Sequence, residues 1–408
     1  MFVPLTPVNT RRRRTNAFTP INGILSGMLQ AIADSILHPF VLLAAIAFLL
    51  NGSNYQIAAF TVIALASWTI SAVIVAWLRR TTARAYPFLI GACAVRMLAV
   101  ALLAVTAFRS PHWNPEDVIR TLMIGFVPYQ VSSAIIGHIS VPPLAGLPPT
   151  AKRSIVFGQR AVVGAIMAVI GGAVVWSVHR SVDDIRAALG VLFILAAIST
   201  AASTWFLLAI PVSKRRGHSD DPFIRDPGGF FRPFGSVPFR RFLLYRIALG
   251  LAAAADPFII VFGFREIGLG LEDIGLALVA FAIGHLSGVV IWPRWSAHRS
   301  PRTPLQIAAL LRVLALLVTI AIPAIVTSTL YTDRFTSSDV AIRLFFVQFA
   351  CVGLAVSAQG MANQRYLLDI SAPVTMHQAV ATTNGVQAVL AFAPLGAAYL
   401  IGRTSLDE

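Results

Sequence analysis

Apolar residues in this chain come in long unbroken blocks, separated by short polar and basic segments. A bilayer core about 30 Å thick needs about 20 mostly apolar helical residues, because a helix rises 1.5 Å per residue. Eleven blocks of that kind can be drawn: 21–49, 55–78, 86–108, 118–140, 155–178, 185–211, 242–264, 273–293, 304–326, 341–362 and 377–402. Lipid offers the backbone no hydrogen-bond partner, so each block is expected to be a helix. The fold class is therefore all-α, a polytopic helical membrane protein.

Composition agrees with the pattern. Of 408 residues, 57% are apolar and only 12% are charged, where soluble domains carry about 25% charged residues. A net charge of +15 raises the question of nucleic acid. The basic residues do not make one face, however; they lie in clusters between the apolar blocks, as membrane topology requires. With the N-terminus in the cytoplasm, the dense clusters all fall inside: Arg11–Arg14, then Arg79, Arg80 and Arg84, then Lys152, Arg153 and Arg160, then Lys214, Arg215, Arg216, Arg225, Arg232, Arg240 and Arg241, then Arg294, Arg299 and Arg302, with Arg365 last. Outer segments keep single residues such as Arg109, Arg180 and Arg334. The Arg11–Arg14 run has the polarity of a signal peptide, but no small-residue cleavage site follows a short core, so the first block is read as a retained span. Arginine outnumbers lysine 30 to 2, which suggests a GC-rich genome and is compatible with a bacterial inner membrane.

Residues 212–241 form a long basic loop rich in Pro and Gly, dividing six spans from five. A connection of that length marks a domain junction. The expected layout is a cytoplasmic segment at 1–20, a six-helix bundle at 21–211, the central loop at 212–241 and a second bundle at 242–408. The loop reads as a flexible tether, with a regulatory or lipid-binding role for its basic clusters as the alternative.

The two halves repeat. HPFVLLAAIAFLLNG at 38–52 aligns without a gap on DPFIIVFGFREIGLG at 256–270, matching Pro39-Phe40 with Pro257-Phe258 and Gly52 with Gly270. AVRMLAVALL at 94–103 aligns on LLRVLALLVT at 310–319, placing Arg96 on Arg312. Similar halves of the same orientation imply a parallel repeat about an axis normal to the membrane. This layout resembles the major facilitator superfamily of secondary transporters, in which two six-helix halves surround a central cavity. The loop at 75–87, VAWLRRTTARAYP, has the basic character of that family's motif after its second span but lacks the Asp. The Gly-Pro step of its antiporters is missing from span 5, where only Gly164 and Gly171-Gly172 stand. The family plan has twelve spans; after the eleventh only Arg403–Glu408 follow, so the second half is expected to be one helix short.

Ionisable groups at membrane depth cost at least about 2.5–3.5 kcal/mol each on insertion scales. Those near span centres are Asp34, His38, Arg96, His138, Asp256, His285 and Arg312. Asp34 and His38 have i, i+4 spacing and would share a helix face. His38 and Asp256 occupy matched repeat positions, each before a proline. The resemblance implies that spans 1 and 7 border the cavity and that spans 3 and 9 support them. Arg96 is expected to reach Asp34, and Arg312 to reach Asp256, one ion pair per half, serving either to lock the bundles or to take part in transport. Gln348, Gln359, Asn363 and Asn384, with Gln378 and Gln387, either line the cavity or bond across helices.

There is no zinc-ligand spacing, phosphate-cradling glycine loop or nucleophile motif. Cys93 and Cys351 both sit in apolar blocks and suggest neither a disulfide framework nor a metal site. An enzyme is not expected, nor a cofactor, a metal or a nucleic-acid partner. The resemblance implies a secondary transporter of small solutes across the plasma (inner) membrane, coupled to protons through Asp34 and Asp256 or uncoupled. The alternative is a non-transporting membrane scaffold or sensor.

Overall fold

The computed structural model describes residues 18–81, 85–109, 113–145, 151–182, 184–210, 227–298, 300–326, 339–371 and 376–404. The Arg11–Arg14 run and the first half of the central loop, 212–226, lie outside the described residues; the second half is a 3-10 turn at Pro227–Gly235 and the start of the next helix. The described chain is helical. Its first bundle holds α1 (Phe18–Ile36), α2 (Leu42–Leu49), α3 (Asn54–Thr81), α4 (Ala85–Arg109), α5 (Pro115–Ala145), α6 (Ala151–Ser181) and α7 (Ile185–Leu208). The second holds α8 (Val237–Ala252), α9 (Asp256–Phe262), α10 (Asp273–His298), α11 (Arg302–Val326), α12 (Asp339–Ile370), α13 (Met376–Leu390) and α14 (Ala393–Thr404).

Among the described residues, ten helical segments are long and apolar enough to cross a membrane, and they coincide with the second to eleventh expected spans. The first expected span is not one helix. It stops at Ile36 and resumes at Leu42. Pro39 has no N–H, and its ring obstructs the carbonyl four residues earlier, which favours a break at that point. The matched proline does the same more gently. A 3-10 turn at Ala253–Ala255 precedes Asp256, and Pro257 sits in the first turn of α9, where the missing N–H costs little. The two interruptions adjoin in the sequence match, the first spanning the proline and the second ending just before it.

Large apolar side chains such as Leu98, Phe108, Trp205, Leu310 and Ile320 are exposed on the outside of the bundles. In water that surface would be a liability; against lipid it is the required one.

Packing differs between the two ends of the molecule. At the end remote from the central loop, one apolar core joins both bundles, running through Val41–Ala47, Val118–Phe126 and Leu189–Phe193 to Phe258–Val261, Ile274 and Phe345. At the loop end the apolar clusters separate. Val75, Leu89, Cys93, Ile136 and Leu207 belong to the first bundle alone. Phe239, Phe242, Leu305, Leu367 and Ala379 belong to the second alone, as do Trp292, Ala308 and Ala355. The bundles are therefore sealed together at one end and separately packed at the other.

Glycines bring the sealing helices together. A side chain at Gly172 of α6 would stand 2.8 Å from the Val279 amide nitrogen of α10, and one at Gly275 would overlap the Trp176 backbone. Small residues permit such backbone approach between membrane helices. Gly284 and Gly353 bring α10 and α12 together in the same way.

Candidate functional site

In the second bundle, Arg312 of α11 donates from Nη1 to Asp256 Oδ1 at 2.6 Å. Both side chains are nearly inaccessible, Arg312 at 7% and Asp256 at 6%. Removing two ions from water costs several kcal/mol each, so either charge would be poorly tolerated there without the other. The break before Asp256 fixes its carboxylate at the start of α9.

The first bundle does not repeat this pair. Arg96 is only 2% accessible, but its guanidinium reaches Gln30 Oε1 at 2.8 Å and Thr204 Oγ1 at 2.7 Å. Gln30 then donates from Nε2 to Asp34 Oδ1 at 2.8 Å, and the Tyr129 hydroxyl donates to the same oxygen at 3.0 Å. The expected Arg96–Asp34 ion pair is replaced by a relay through an amide. An amide suits that place because it accepts on one side and donates on the other. Thr204 donates its own hydroxyl hydrogen to the Thr200 carbonyl, which leaves its oxygen free to accept. Asp34 itself is exposed although it lies mid-span, so its face of α1 opens onto space rather than onto packed protein.

Asp34 and His38 do not share a face. Their i, i+4 spacing requires a continuous helix, and α1 ends at Ile36. His38 turns instead toward the aromatic contact between the bundles, its ring 4.3 Å from Phe40 and 5.0 Å from Phe281 of α10. Phe281 stacks on His285 with centroids 6.4 Å apart. His38 and His285 are thus linked through one phenylalanine. Each has a buried Nδ1 without a hydrogen-bond partner among the described residues.

No protein-family model and no curated protein matches the sequence. Solved structures do match it in shape. The nucleoside transporter NupG superposes with a TM-score of 0.61 over 92% of this chain and 89% of that one, at 15% identity. The D-xylose-proton symporter gives 0.61 over 92% and 88%, at 14% identity. A bacterial homologue of the iron transporter ferroportin, in its inward-facing state, gives 0.59 over 94% and 96%, at 13% identity. The chain has the major facilitator superfamily fold. At these identities the likeness concerns the fold alone.

Within the superfamily fold the remaining polar residues separate into different settings. His138 of α5 donates from Nε2 to the Trp68 carbonyl, 3.2 Å away, with its ring 5.4 Å from the Trp68 ring. It holds α3 to α5, whereas His38 and His285 both meet Phe281 of α10. Gln348 is fully buried and accepts from Thr319 of α11, so it sits between α11 and α12. Gln359 and Asn363 follow on α12, one turn apart, and each has a buried amide atom without a partner among the described residues. Gln378 of α13 has another, while Asn384 is exposed. No group of three potential metal ligands occurs among the described residues. A cavity of about 320 Å³ lined by Leu50, Asn51, Ser53, Gln56, Glu116 and Ile119 lies at the sealed end, apart from the mid-span charges.

Sequence reasoning does not reach Gln30, Tyr129 or Thr204. Gln30 carries a signal: it stands at i−4 from Asp34, on the same face of an uninterrupted helix. Tyr129 and Thr204 carry none, since only tertiary packing brings α5 and α7 to α1 and α4.

Proposed function

We propose that the protein is a secondary transporter that moves a small solute across the plasma (inner) membrane by alternating access, its two bundles rocking about a central site. The observation that carries this reading is the unequal packing of the two ends. One continuous core seals the bundles together at one end, and separate clusters leave them apart at the other. That asymmetry is what one of two access states looks like. With the N-terminus cytoplasmic, as the Lys and Arg distribution favours, the open end faces the cytoplasm. The match to a ferroportin homologue in its inward-facing state supports this reading.

Proton coupling belongs to the same proposal. Asp34 is exposed at mid-span depth and held by neutral donors, which suits a carboxylate that gains and loses a proton as access changes. Asp256 is held by a full cation, which suits a permanently charged structural pair. Asp34 is therefore the better coupling candidate. Solute-driven proton flux in proteoliposomes tests it. Asp34→Asn should abolish the flux while leaving solute exchange; unchanged flux would remove Asp34 from coupling. The scaffold alternative has no specific observation in its favour, because the unsealed end leaves a face that a static bundle would pack.

A further inference from the structure

In the first bundle α7 is seated between α1 and α4. Its Ser203 donates to the Ser26 carbonyl of α1 at 2.9 Å, and the next residue, Thr204, accepts from Arg96 of α4 at 2.7 Å. The stripe of α1 that carries Ser26 runs through Gly23, Ser26, Gln30 and Ala33, at helical spacing. Ser26 is 3% accessible and Ala33 0%. The outer side of α7 is exposed at Ile198 and Trp205, so α7 stands between its neighbours and the lipid.

No described helix repeats α7 in the second bundle. Carried back along the helix, the gapless match of His38 with Asp256 sets Gly23, Ser26, Gln30 and Ala33 on Arg241, Leu244, Ala248 and Leu251 of α8. All four are exposed, Leu244 at 65% and Leu251 at 57%. The other wall changes in the same sense. Val313 and Ile320 of α11 are exposed where the matched Met97 and Ala104 of α4 are half-buried, and Leu316 is half-buried where Val100 is buried. These stripes belong to helices tied to each other at two levels. The Tyr245 hydroxyl of α8 donates to the Leu305 carbonyl of α11 at 3.1 Å, and Arg312 of α11 holds Asp256 at the start of α9. Between them lies an apolar groove, the seat that α7 fills in the first bundle, and it opens on the lipid side.

We infer that this groove binds an anionic phospholipid from the leaflet at the loop end, its acyl chains along Leu244, Leu251, Val313 and Ile320 and its phosphate on Arg240 and Arg241. Depth supports the match. The span runs Val237–Ile267, so its midpoint is Ala252 and Arg241 lies eleven residues away. That is about 16 Å at 1.5 Å per residue, just beyond half of a hydrocarbon core about 30 Å thick. Arg240 and Arg241 are both exposed, and each lies about one turn from Leu244 on the same face. Guanidinium groups take phosphate oxygens by charge-assisted hydrogen bonds, and basic residues between membrane helices select anionic headgroups. The repeat itself does not require the charge, since the matched residues are Asn22 and Gly23.

Other occupants fit less well. A helix from another membrane protein carries its own Lys and Arg at the cytoplasmic flank, and these would meet Arg240 and Arg241. A second copy of this chain, joined groove to groove about a two-fold axis, would set the same arginines against themselves. The site is independent of the transport reading, because a static bundle would need the groove covered as well.

The test uses the full chain in a nonionic detergent. Phosphatidylglycerol and phosphatidylcholine of the same acyl chains are titrated, with inorganic phosphate as the soluble control. Native mass spectrometry reads retained lipid, and thermal unfolding reads its effect. Phosphatidylglycerol should be retained and raise the unfolding temperature saturably; phosphatidylcholine and inorganic phosphate should do neither. Arg240→Gln with Arg241→Gln should weaken phosphatidylglycerol binding by about tenfold or more, without earlier unfolding in its absence. Arg294→Gln, at an exposed arginine at the loop end of α10, should bind like the parent. Ala248→Trp, which fills the groove from an exposed position, should displace the lipid with both arginines in place. Equal retention of both lipids, an equal effect of inorganic phosphate, or undiminished binding by the double arginine variant or by Ala248→Trp would overturn the inference. So would disulfide-linked dimers of Leu244→Cys, made without Cys93 and Cys351, in phosphatidylglycerol bilayers, since they would place a second copy in the groove.

Discussion

Arg312 and Asp256 meet at 2.6 Å in the interior of the second bundle, whereas Arg96, the repeat partner of Arg312, reaches its nearest acid only through Gln30. The same buried cation has thus been satisfied in two ways. In the second bundle the break at Pro257 presents the acid directly to α11. In the first, the matched position is His38, the nearest acid is Asp34, and α7 supplies Thr204 to take the other half of the guanidinium.

The pair predicts a definite pattern of stabilities. Arg312→Leu or Asp256→Leu alone should cost about 3–5 kcal/mol, because each leaves an uncompensated buried charge. The double substitution should cost clearly less than the sum, and less than the worse single variant. Thermal or denaturant unfolding in detergent measures this. Additive losses would show that the two groups do not depend on each other.

The relay predicts a different ranking. Gln30→Leu removes one of the two acceptors of Arg96 and a donor to Asp34 in one step. Thr204→Val removes only one of two acceptors from Arg96. Leaving a buried polar group unsatisfied costs about 1–3 kcal/mol, and more for a charged one. Gln30→Leu should therefore be the more destabilising of the two by at least about 1 kcal/mol. Equal losses would mean that Gln30 does not carry the link.

The glycine contacts at the sealed end predict a change of access rather than of fold. Gly275→Val places a branched side chain where the Trp176 backbone already stands. Overpacking of this kind costs about 1–3 kcal/mol, and here separation of α6 from α10 relieves it. A cysteine introduced at the buried Leu278, in a background free of Cys93 and Cys351, should become reactive to a membrane-impermeant thiol reagent when Gly275→Val is added. Continued protection would mean that the contact does not hold that end closed.

Much of this architecture is legible in the sequence, and the part that is not has a physical cause. Span positions follow from block length alone, since lipid permits few alternatives to a helix. The match of Pro39-Phe40 with Pro257-Phe258 locates the breaks, because proline acts locally. Side-chain partners are another matter. Helical spacing puts Asp34 and His38 on one face, but that spacing loses its meaning at the break the adjacent proline creates. Arg160 is grouped with Lys152 and Arg153 at the cytoplasmic start of its span, yet it packs on Gly27, which only the meeting of α1 and α6 reveals. Periodicity reports on one helix, whereas these contacts belong to pairs.

If the bundles exchange between two access states, the two ends must move in opposition. Spin labels at exposed Gln159 and Arg241 report on the open end across the two bundles, and labels at exposed Ser181 and Glu272 report on the sealed end. Pulsed electron–electron distance measurements in lipid, at acid and neutral pH, should show two populations at each end. As the Gln159–Arg241 distance shortens, the Ser181–Glu272 distance should lengthen, and Asp34→Asn should shift the balance between them. A single distance at each end, unmoved by pH or substitution, would rule out alternating access for this protein.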